Sequence, residues 1–418
     1  MNRPSVPAIC GAALMLGSIA GPLQAEGVLA PLKGALGETK PIADARMRLE
    51  TVDQVPFPDA ANSVTLRLRL GFETGKAWGT SLLVEGEAVV PLDDDYNSTT
   101  NGNTGVPVVA DPESYEVNRL QLVNTLLPDT TVTLGRQRVI LDDHRFVGNV
   151  GWRQNEQTFD AVRLVNRSIP GVVVDVGYIN QVNRIFGPDG LPGPNIGRFT
   201  GDTWVANVSW QSTVGKLTAF GYLVDIEQLP QPVRDSNQSF GLRFTGERPV
   251  SKVKVSWIAS WAMQEEYGEN PLSFSNEYYL AELNGTYRSW SLGAGYEVLE
   301  GNGVKGFTTP LATLHRFQGW ADKFLTTPVN GIRDFYGSAA FQKKGVGPLE
   351  TLAINAVWHK YDSQRGGLDY GDELNLQLQG RYHRYTGTLK YAAYNATPAT
   401  PLTTRDTDKL WAQVEYVW

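Results

Sequence analysis

The 418-residue chain has one cysteine, four histidines and four methionines, and charged residues make up only 19% of it. The one cysteine, Cys10, lies in the apolar part of a segment that reads as an export leader. Too little apolar chain precedes it for a lipid-attachment site. The rest of the chain is therefore expected to have no thiols, no disulfides and no thiolate metal site. Beyond the leader no stretch approaches the ~18 consecutive apolar residues of a transmembrane helix. The net charge of −7 gives no basic footprint for nucleic acid. No His/Asp/Glu cluster recurs at ligand spacing, so no metal or other cofactor is expected.

What the chain does have is glycine (43 residues) and aromatics (11 Trp, 17 Tyr and 15 Phe), with a polar mean hydropathy of −0.26. The last residues show how these are arranged. Leu410, Ala412, Val414, Tyr416 and Trp418 alternate with Lys409, Trp411, Gln413, Glu415 and Val417. Period-two alternation is a strand with one apolar and one mostly polar face. The same pattern recurs along the chain. Val64, Leu66, Leu68, Leu70 and Phe72 alternate with Thr65, Arg67, Arg69 and Glu73 across 63–73. Val253 to Met263 alternate with Lys252, Lys254, Ser256 and Ser260 across 251–263, and Leu374, Leu376, Leu378 and Tyr382 with polar residues across 372–383. Helical periodicity is nearly absent. About 18 such strands can be drawn, beginning near 43–51.

The connections alternate in length. Short ones fall at 127–129, 169–171, 213–215, 248–250 and 345–347, and long ones at 91–113, 140–157, 183–202, 301–333 and 397–407. This rhythm predicts an all-β, transmembrane antiparallel barrel with short periplasmic turns and longer extracellular loops. Residues 1–25 are expected to be a cleaved signal peptide, with Arg3 in its charged region and Leu23-Gln24-Ala25 at the cleavage site. Residues 26–41 read as an N-terminal periplasmic extension and 42–418 as the barrel. Such a chain belongs in the outer membrane of a Gram-negative cell, in contact with its lipid and lipopolysaccharide.

One stretch resembles a known family: Gly135-Arg136-Gln137-Arg138, then Asp142-Asp143-His144-Arg145-Phe146 through Trp152-Arg153-Gln154-Asn155-Glu156-Gln157-Thr158-Phe159-Asp160-Ala161. With Thr65 to Gly71 and Val84-Glu85-Gly86-Glu87, it resembles the alginate export family of outer-membrane porins. That resemblance implies an 18-stranded barrel with an arginine-rich constriction for an anionic uronate polysaccharide. It also implies that the Trp418 strand carries the signal to the barrel-assembly machinery.

Parity alone places Arg46, Arg48, Arg67 and Arg69 inward on neighbouring strands, together with Arg119, Arg163, Arg243, Lys252, Lys254 and Arg381. Inward acids include Glu50, Glu73, Glu85, Glu87, Asp175, Glu297 and Glu373. An Arg or Lys facing lipid near mid-membrane costs roughly 2–4 kcal/mol, which fixes this assignment. Two readings stand. The arginines form a ladder whose planar forks pass a sugar carboxylate along the lumen, or they pair with acids across the wall and only set a field. Arg136 and Arg138 share parity with lipid-facing Val132 and Leu134. Either a bulge at Gly135 shifts the register, the reading slightly preferred, or both lie at the rim. Arg145, Trp152 and Arg153 reach the constriction only if their loop folds inward.

Catalysis is not expected, because the compact set Asp142, Asp143 and His144, read as a strand, points to opposite faces. The Asp93-Asp94-Asp95 run reads as a solvated loop tip rather than a calcium site. Trp204, Trp210, Trp257, Trp261, Tyr278, Trp290, Tyr296, Trp358, Tyr382 and Tyr416 read as an interfacial girdle, with Trp411 and Tyr279 of luminal parity. The function expected is a passive porin for anionic, uronate-type sugars. A general nutrient-uptake porin and a closed structural or adhesive barrel are the alternatives.

Overall fold

A computed structural model describes residues 22–228, 232–397 and 405–418. Most of the expected leader, and residues 398–404 of the last long connection, lie outside the described residues. A helix, α1 (Pro22–Gly37), precedes 18 strands: β1 (Lys40–Gln54), β2 (Ala61–Glu73), β3 (Thr80–Asp93), β4 (Ser114–Asn124), β5 (Thr130–Gln137) and β6 (Thr158–Asn166). Then come β7 (Val172–Asn183), β8 (Arg198–Gln211), β9 (Lys216–Val224), β10 (Asn237–Val250), β11 (Val253–Glu266) and β12 (Ser275–Tyr287). The last six are β13 (Trp290–Leu299), β14 (Ile332–Val346), β15 (Leu349–Asp362), β16 (Asp369–Tyr382), β17 (Tyr385–Asn395) and β18 (Thr407–Val417).

Each strand pairs antiparallel with its sequence neighbours, and β1 pairs with β18 from Asp44↔Val417 to Gln54↔Thr407. The sheet therefore closes, and closure leaves no unpaired edge in lipid. The terminal residue takes part, since the Trp418 N–H donates to the Ala43 carbonyl at 2.9 Å. The segment read as an extension divides between the end of α1 and the start of β1, so the barrel begins at Lys40. The helix is fixed to the short-turn rim by the Gly75 N–H, which donates to the Ala35 carbonyl at 2.9 Å. Two short turns sit later than the sequence suggests. Arg248–Val250 lie within β10, and the chain reverses at Ser251 and Lys252, with Ser251 at φ 57°. Similarly, β14 runs to Val346 before reversing.

Burial is inverted relative to a soluble protein. Met47, Leu49, Leu68, Leu70, Leu283 and Leu292 are exposed on the outer face, whereas Arg48, Glu50, Arg67 and Glu373 are fully buried inside. The parity of β1, β2, β16 and β18 is as the alternation predicts.

The expected bulge is elsewhere. Gly135 keeps β5 in register with both neighbours, opposite Gln121 and Ala161. Its φ of +109° lies where L side chains rarely go, and a Cβ at this position would collide with the Leu120 carbonyl oxygen, so glycine stands there. The extra residue is Asn118 in β4, between the Glu85↔Arg119 and Gly86↔Val117 pairs. It reconciles an otherwise broken alternation, since Tyr115 and Val117 face outward before it and Leu120 and Leu122 after it. Asn180 bulges from β7 in the same way.

Candidate functional site

The four arginines of β1 and β2 form one inward cluster. Arg46 stands directly opposite Arg67, a like-charge pair that would repel without acids nearby. Glu415 of β18 supplies one, accepting from Arg46 Nη2 at 2.7 Å and Arg67 Nη2 at 2.9 Å, and Asp44 accepts from Arg67 at 2.5 Å. Arg69 pairs with Glu87 and lies 3.6 Å from Glu156. Arg48 donates to Gln413 Oε1 at 2.9 Å and lies 3.4 Å from Asp111. The acids leave some donors unused. Arg67 Nε and Nη1 are buried without a hydrogen-bond partner among the described residues.

The loop 138–157 folds into the lumen. Arg46 Nη1 donates to the carbonyls of Gly151, Trp152 and Arg153 at 3.1, 3.2 and 3.3 Å. Arg48 donates to the Trp152 carbonyl at 2.5 Å and stacks its guanidinium 4.2 Å from that ring's centre. Arg153 reaches Glu50 at 3.2 Å, and Arg145 reaches Glu297 of β13 at 2.8 Å. Phe146 packs on Phe220, Tyr222, Tyr278 and Phe307, which makes an apolar core within one side of the barrel.

The loop 300–331 enters from the other side. The Trp320 and Ala321 N–H groups donate to Glu373 Oε1 at 2.5 and 2.8 Å. The two loops are joined to each other: the Gly148 N–H donates to the Leu311 carbonyl at 2.9 Å, and the Thr313 N–H to the His144 carbonyl at 3.0 Å. Asp322 is the point where everything meets. It accepts from His315 Nδ1 at 2.7 Å, Lys409 Nζ at 2.8 Å and Arg153 Nη2 at 3.0 Å. Lys390 Nζ lies 2.7 Å from His315 Nε2, with the Trp152 and Trp320 rings 4.0 and 3.9 Å away. Trp152 and His315 are themselves stacked at 4.9 Å. Cation–π attraction strengthens when such a cation is removed from water.

The remaining arginines divide. Arg119 forms a bidentate pair with Glu85 at 2.8 and 2.6 Å, reached through the Asn118 bulge. Arg136 lies on the outer face, forked onto Asp160 at 2.7 and 3.0 Å, so the rim reading holds for it and the Gly135 bulge does not. Arg138 departs from it because β5 ends at Gln137, and it turns to Glu156 at 2.6 Å and Glu85 at 3.4 Å. Arg163 pairs with Asp175 at 2.5 Å on the wall, and Arg243 with Asp143 at 2.8 Å. Lys252, Lys254 and Arg381 are exposed at the short-turn rim.

Tyr278 and Tyr279 exchange the roles read from sequence. Tyr278 is buried against Glu297 at 2.9 Å and Tyr279 faces outward, because two adjacent tyrosines carry no alternation signal. Asp142, Asp143 and His144 lie on the inward loop rather than on a strand, and each is held by a different partner: Asn207, Arg243 and Thr313. Asp93, Asp94 and Asp95 bring their carboxylates together in an exposed group. Asn97 and Asn101 spend their side-chain oxygens on backbone N–H groups of the same loop.

Loop electrostatics follow from these contacts. Burial works against ionisation of Glu156, but Arg69 and Arg138 outweigh it and hold the carboxyl down at about 2. Burial pushes the His315 imidazole down to about 3, Lys390 and Arg153 adding to this against Asp322. It is therefore neutral at pH 7, with Nδ1–H donating to Asp322 and Nε2 accepting from Lys390. A depressed carboxylate stabilises the fold fully above its unfolded value near 4.5 and loses that contribution as pH falls toward 2. Thermal unfolding in detergent is expected to lose roughly 3 kcal/mol from Glu156 across that window. Glu156→Gln should flatten this acid limb, and an unchanged limb would dissociate Glu156 from it.

No family model and no curated protein matches the chain. Solved structures do. Acinetobacter baumannii OccAB2 superposes with a TM-score of 0.70 at 14% identity, over 92% of this chain and 99% of that one. Pseudomonas aeruginosa OpdK, solved with vanillate, gives 0.69 at 14% identity over 92% and 100%. Pseudomonas aeruginosa OccK2 (OpdF), solved with glucuronate, gives 0.66 at 14% identity over 92% and 97%. The chain has the fold of these 18-stranded barrels, and at this identity the likeness is one of fold.

Proposed function

We propose that this barrel is an outer-membrane porin that passes small anionic solutes, carboxylate-bearing sugars among them, passively down their gradient. The observation that carries the reading is Arg67, which faces the lumen with Nε and Nη1 unpartnered while its Nη2 is held by Asp44 and Glu415. Both two-donor forks of a guanidinium, Nε/Nη2 and Nη1/Nη2, run through the engaged Nη2, so each free N–H offers a single charge-assisted hydrogen bond to a carboxylate oxygen. Uronate selectivity, suggested by the alginate-export-like motifs, is the finer form of the proposal. Glucuronate in the OccK2 structure is compatible with it. Contacts with lipopolysaccharide, and assembly through the Trp418 strand, belong to the same reading.

Arg48 and Arg67 are fully buried, Arg48 against Trp152 of the first inward loop, so a solute reaches them only as contacts within the protein exchange for solute contacts. The reading is tested by single-channel recording of the refolded protein in planar bilayers, titrated with oligouronates and neutral oligosaccharides. Selective interruption of current by oligouronates is expected. Current that neither sugar interrupts would make this a general porin, and no current would favour a closed barrel. Arg67→Gln should lower the anion-to-cation permeability ratio, read from reversal potentials, by on the order of threefold for one charge in a narrow lumen. An unchanged ratio would remove Arg67 from the conduction path.

A further inference from the structure

The short-turn rim is asymmetric in a way that the lumen does not require. Four successive reversals, those following β10, β12, β14 and β16, and the strand ends beside them carry exposed Arg248, Lys252, Arg288, Lys343, Lys344 and Arg384. No carboxylate lies within ion-pair distance of any of the six among the described residues. The two acids nearby, Glu247 and Glu350, pair instead with Lys254 at 3.1 Å and Arg381 at 3.4 Å. This concentration is not a by-product of composition, since the whole chain has a net charge of −7. The reversals of the other half, after β2, β4, β6 and β8, bring together no comparable set. Counted with the strand ends in the same way, their charged residues are Glu73, Lys76, Asp129, Arg167 and Lys216, three cations offset by two acids.

The cations sit just beyond lipid-facing aromatics. The Arg384 guanidinium lies 4.1 Å from the centre of the Trp418 ring, and that of Arg288 lies 5.2 Å from Tyr287. Lys343 follows Phe341, whose ring packs 4.8 Å from Trp290. Aromatic rings of this kind rest at the level of the lipid headgroups. A cation one or two residues further along the same face stands where phosphate groups are found. Alternate strands of a sheet are about 10 Å apart, so the arc offers a row of separated positive charges rather than one deep pocket.

We infer that this arc binds the phosphodiester headgroups of anionic phospholipid in the periplasmic leaflet, and so fixes one side of the barrel to an ordered lipid annulus. The inference rests on the membrane-spanning orientation used above, but not on which solute the lumen passes.

The protein refolded in a non-ionic detergent is incubated with cardiolipin, phosphatidylglycerol or phosphatidylcholine, and bound lipid is counted by native mass spectrometry. A Lys or Arg near an anionic surface contributes a factor of about five, so a preference for cardiolipin over phosphatidylcholine of at least about tenfold is expected for several acting together. The variant combining Arg248→Gln, Arg288→Gln, Lys343→Gln and Arg384→Gln should lose this preference, while Lys76→Gln with Arg167→Gln keeps it. Single-channel current of the four-site variant should be unchanged, which separates loss of lipid from loss of conduction. Equal retention of all three lipids, or a four-site variant that still prefers cardiolipin, would overturn the inference. Displacement of the lipid by excess inorganic phosphate would also overturn it, by showing a free-anion site. Binding of an acidic periplasmic protein without lipid preference would assign the arc to a protein partner instead.

Discussion

Removing β18 is expected to abolish the folded barrel altogether. Its Thr407–Val417 backbone pairs with β1 on one side and β17 on the other. A chain truncated after residue 405 would expose two long rows of N–H and C=O groups to hydrocarbon, each unsatisfied group costing several kcal/mol. No side-chain interaction elsewhere in the barrel offsets a sum of that size. The truncated chain should show no band of altered mobility in unheated gel samples and no protease-resistant core in detergent. Retention of either would mean that β1 and β17 can close on each other. Trp418→Ala is expected to act in the same direction more weakly in refolding from detergent, because its N–H bond to Ala43 survives the substitution. Its effect in cells should be larger if the terminal aromatic is read by the assembly machinery.

The second large effect is expected at Asp322. This carboxylate accepts from a residue of its own loop, His315, from Arg153 of the other inward loop and from Lys409 of the wall. Burial disfavours its ionisation, yet His315, Lys409 and Arg153 together hold it well below the usual carboxylate range. Asp322→Ala leaves Arg153 and Lys409 buried without that counter-charge, and removing one member of a buried pair costs about 3–5 kcal/mol. The barrel ladders do not depend on these contacts, so the cost should appear as release of the loops rather than as unfolding. Single-channel conductance is expected to rise, with more frequent transitions between levels, while heat-modifiability is preserved. A variant with unchanged conductance and a lowered unfolding temperature would show that Asp322 stabilises the barrel without governing the constriction. Asp322→Asn keeps the shape but not the charge and should fall between the two.

How much of this was legible in the sequence depended on whether a residue lay in a regular strand. Arg46, Arg48, Arg67 and Arg69 could be placed inward because Met47, Leu49, Leu66 and Leu68 stand between or beside them, and lipid tolerates only the second set. The strand count followed from the same alternation. Arg138 could not be separated from Arg136, since the strand ends between them at Gln137 and nothing in the local pattern marks that end. The Asn118 bulge did leave a signal: the outward parity changes between Val117 and Leu120. Lys390 and Lys409 also carried the luminal parity that would have brought them to attention. Asp111, Glu156, His315 and Asp322 had no such mark. They act from loops, through contacts spanning dozens to hundreds of positions, and no periodicity encodes the direction in which a loop folds. Pairing across the wall was legible as one of two readings, and Arg69 with Glu87, Arg119 with Glu85 and Arg163 with Asp175 are such pairs. The loop partners of Arg48, Arg138 and Arg153, namely Asp111, Glu156 and Asp322, were not legible.

The lysine held between Trp152 and Trp320 has an optical consequence. Of the chain's 11 tryptophans, Trp152, Trp320 and Trp411 are gathered within the barrel around one ammonium group, whereas Trp204, Trp210, Trp261, Trp290, Trp358 and Trp418 look outward. Quenchers dissolved in the bilayer reach the second group. In the first group Trp411 is fully buried and Trp152 and Trp320 are half-buried, so quenchers dissolved in water should gain access to it as the loops part. Fluorescence recorded with both kinds of quencher would thus follow the opening of the lumen from within, without a label attached to the chain.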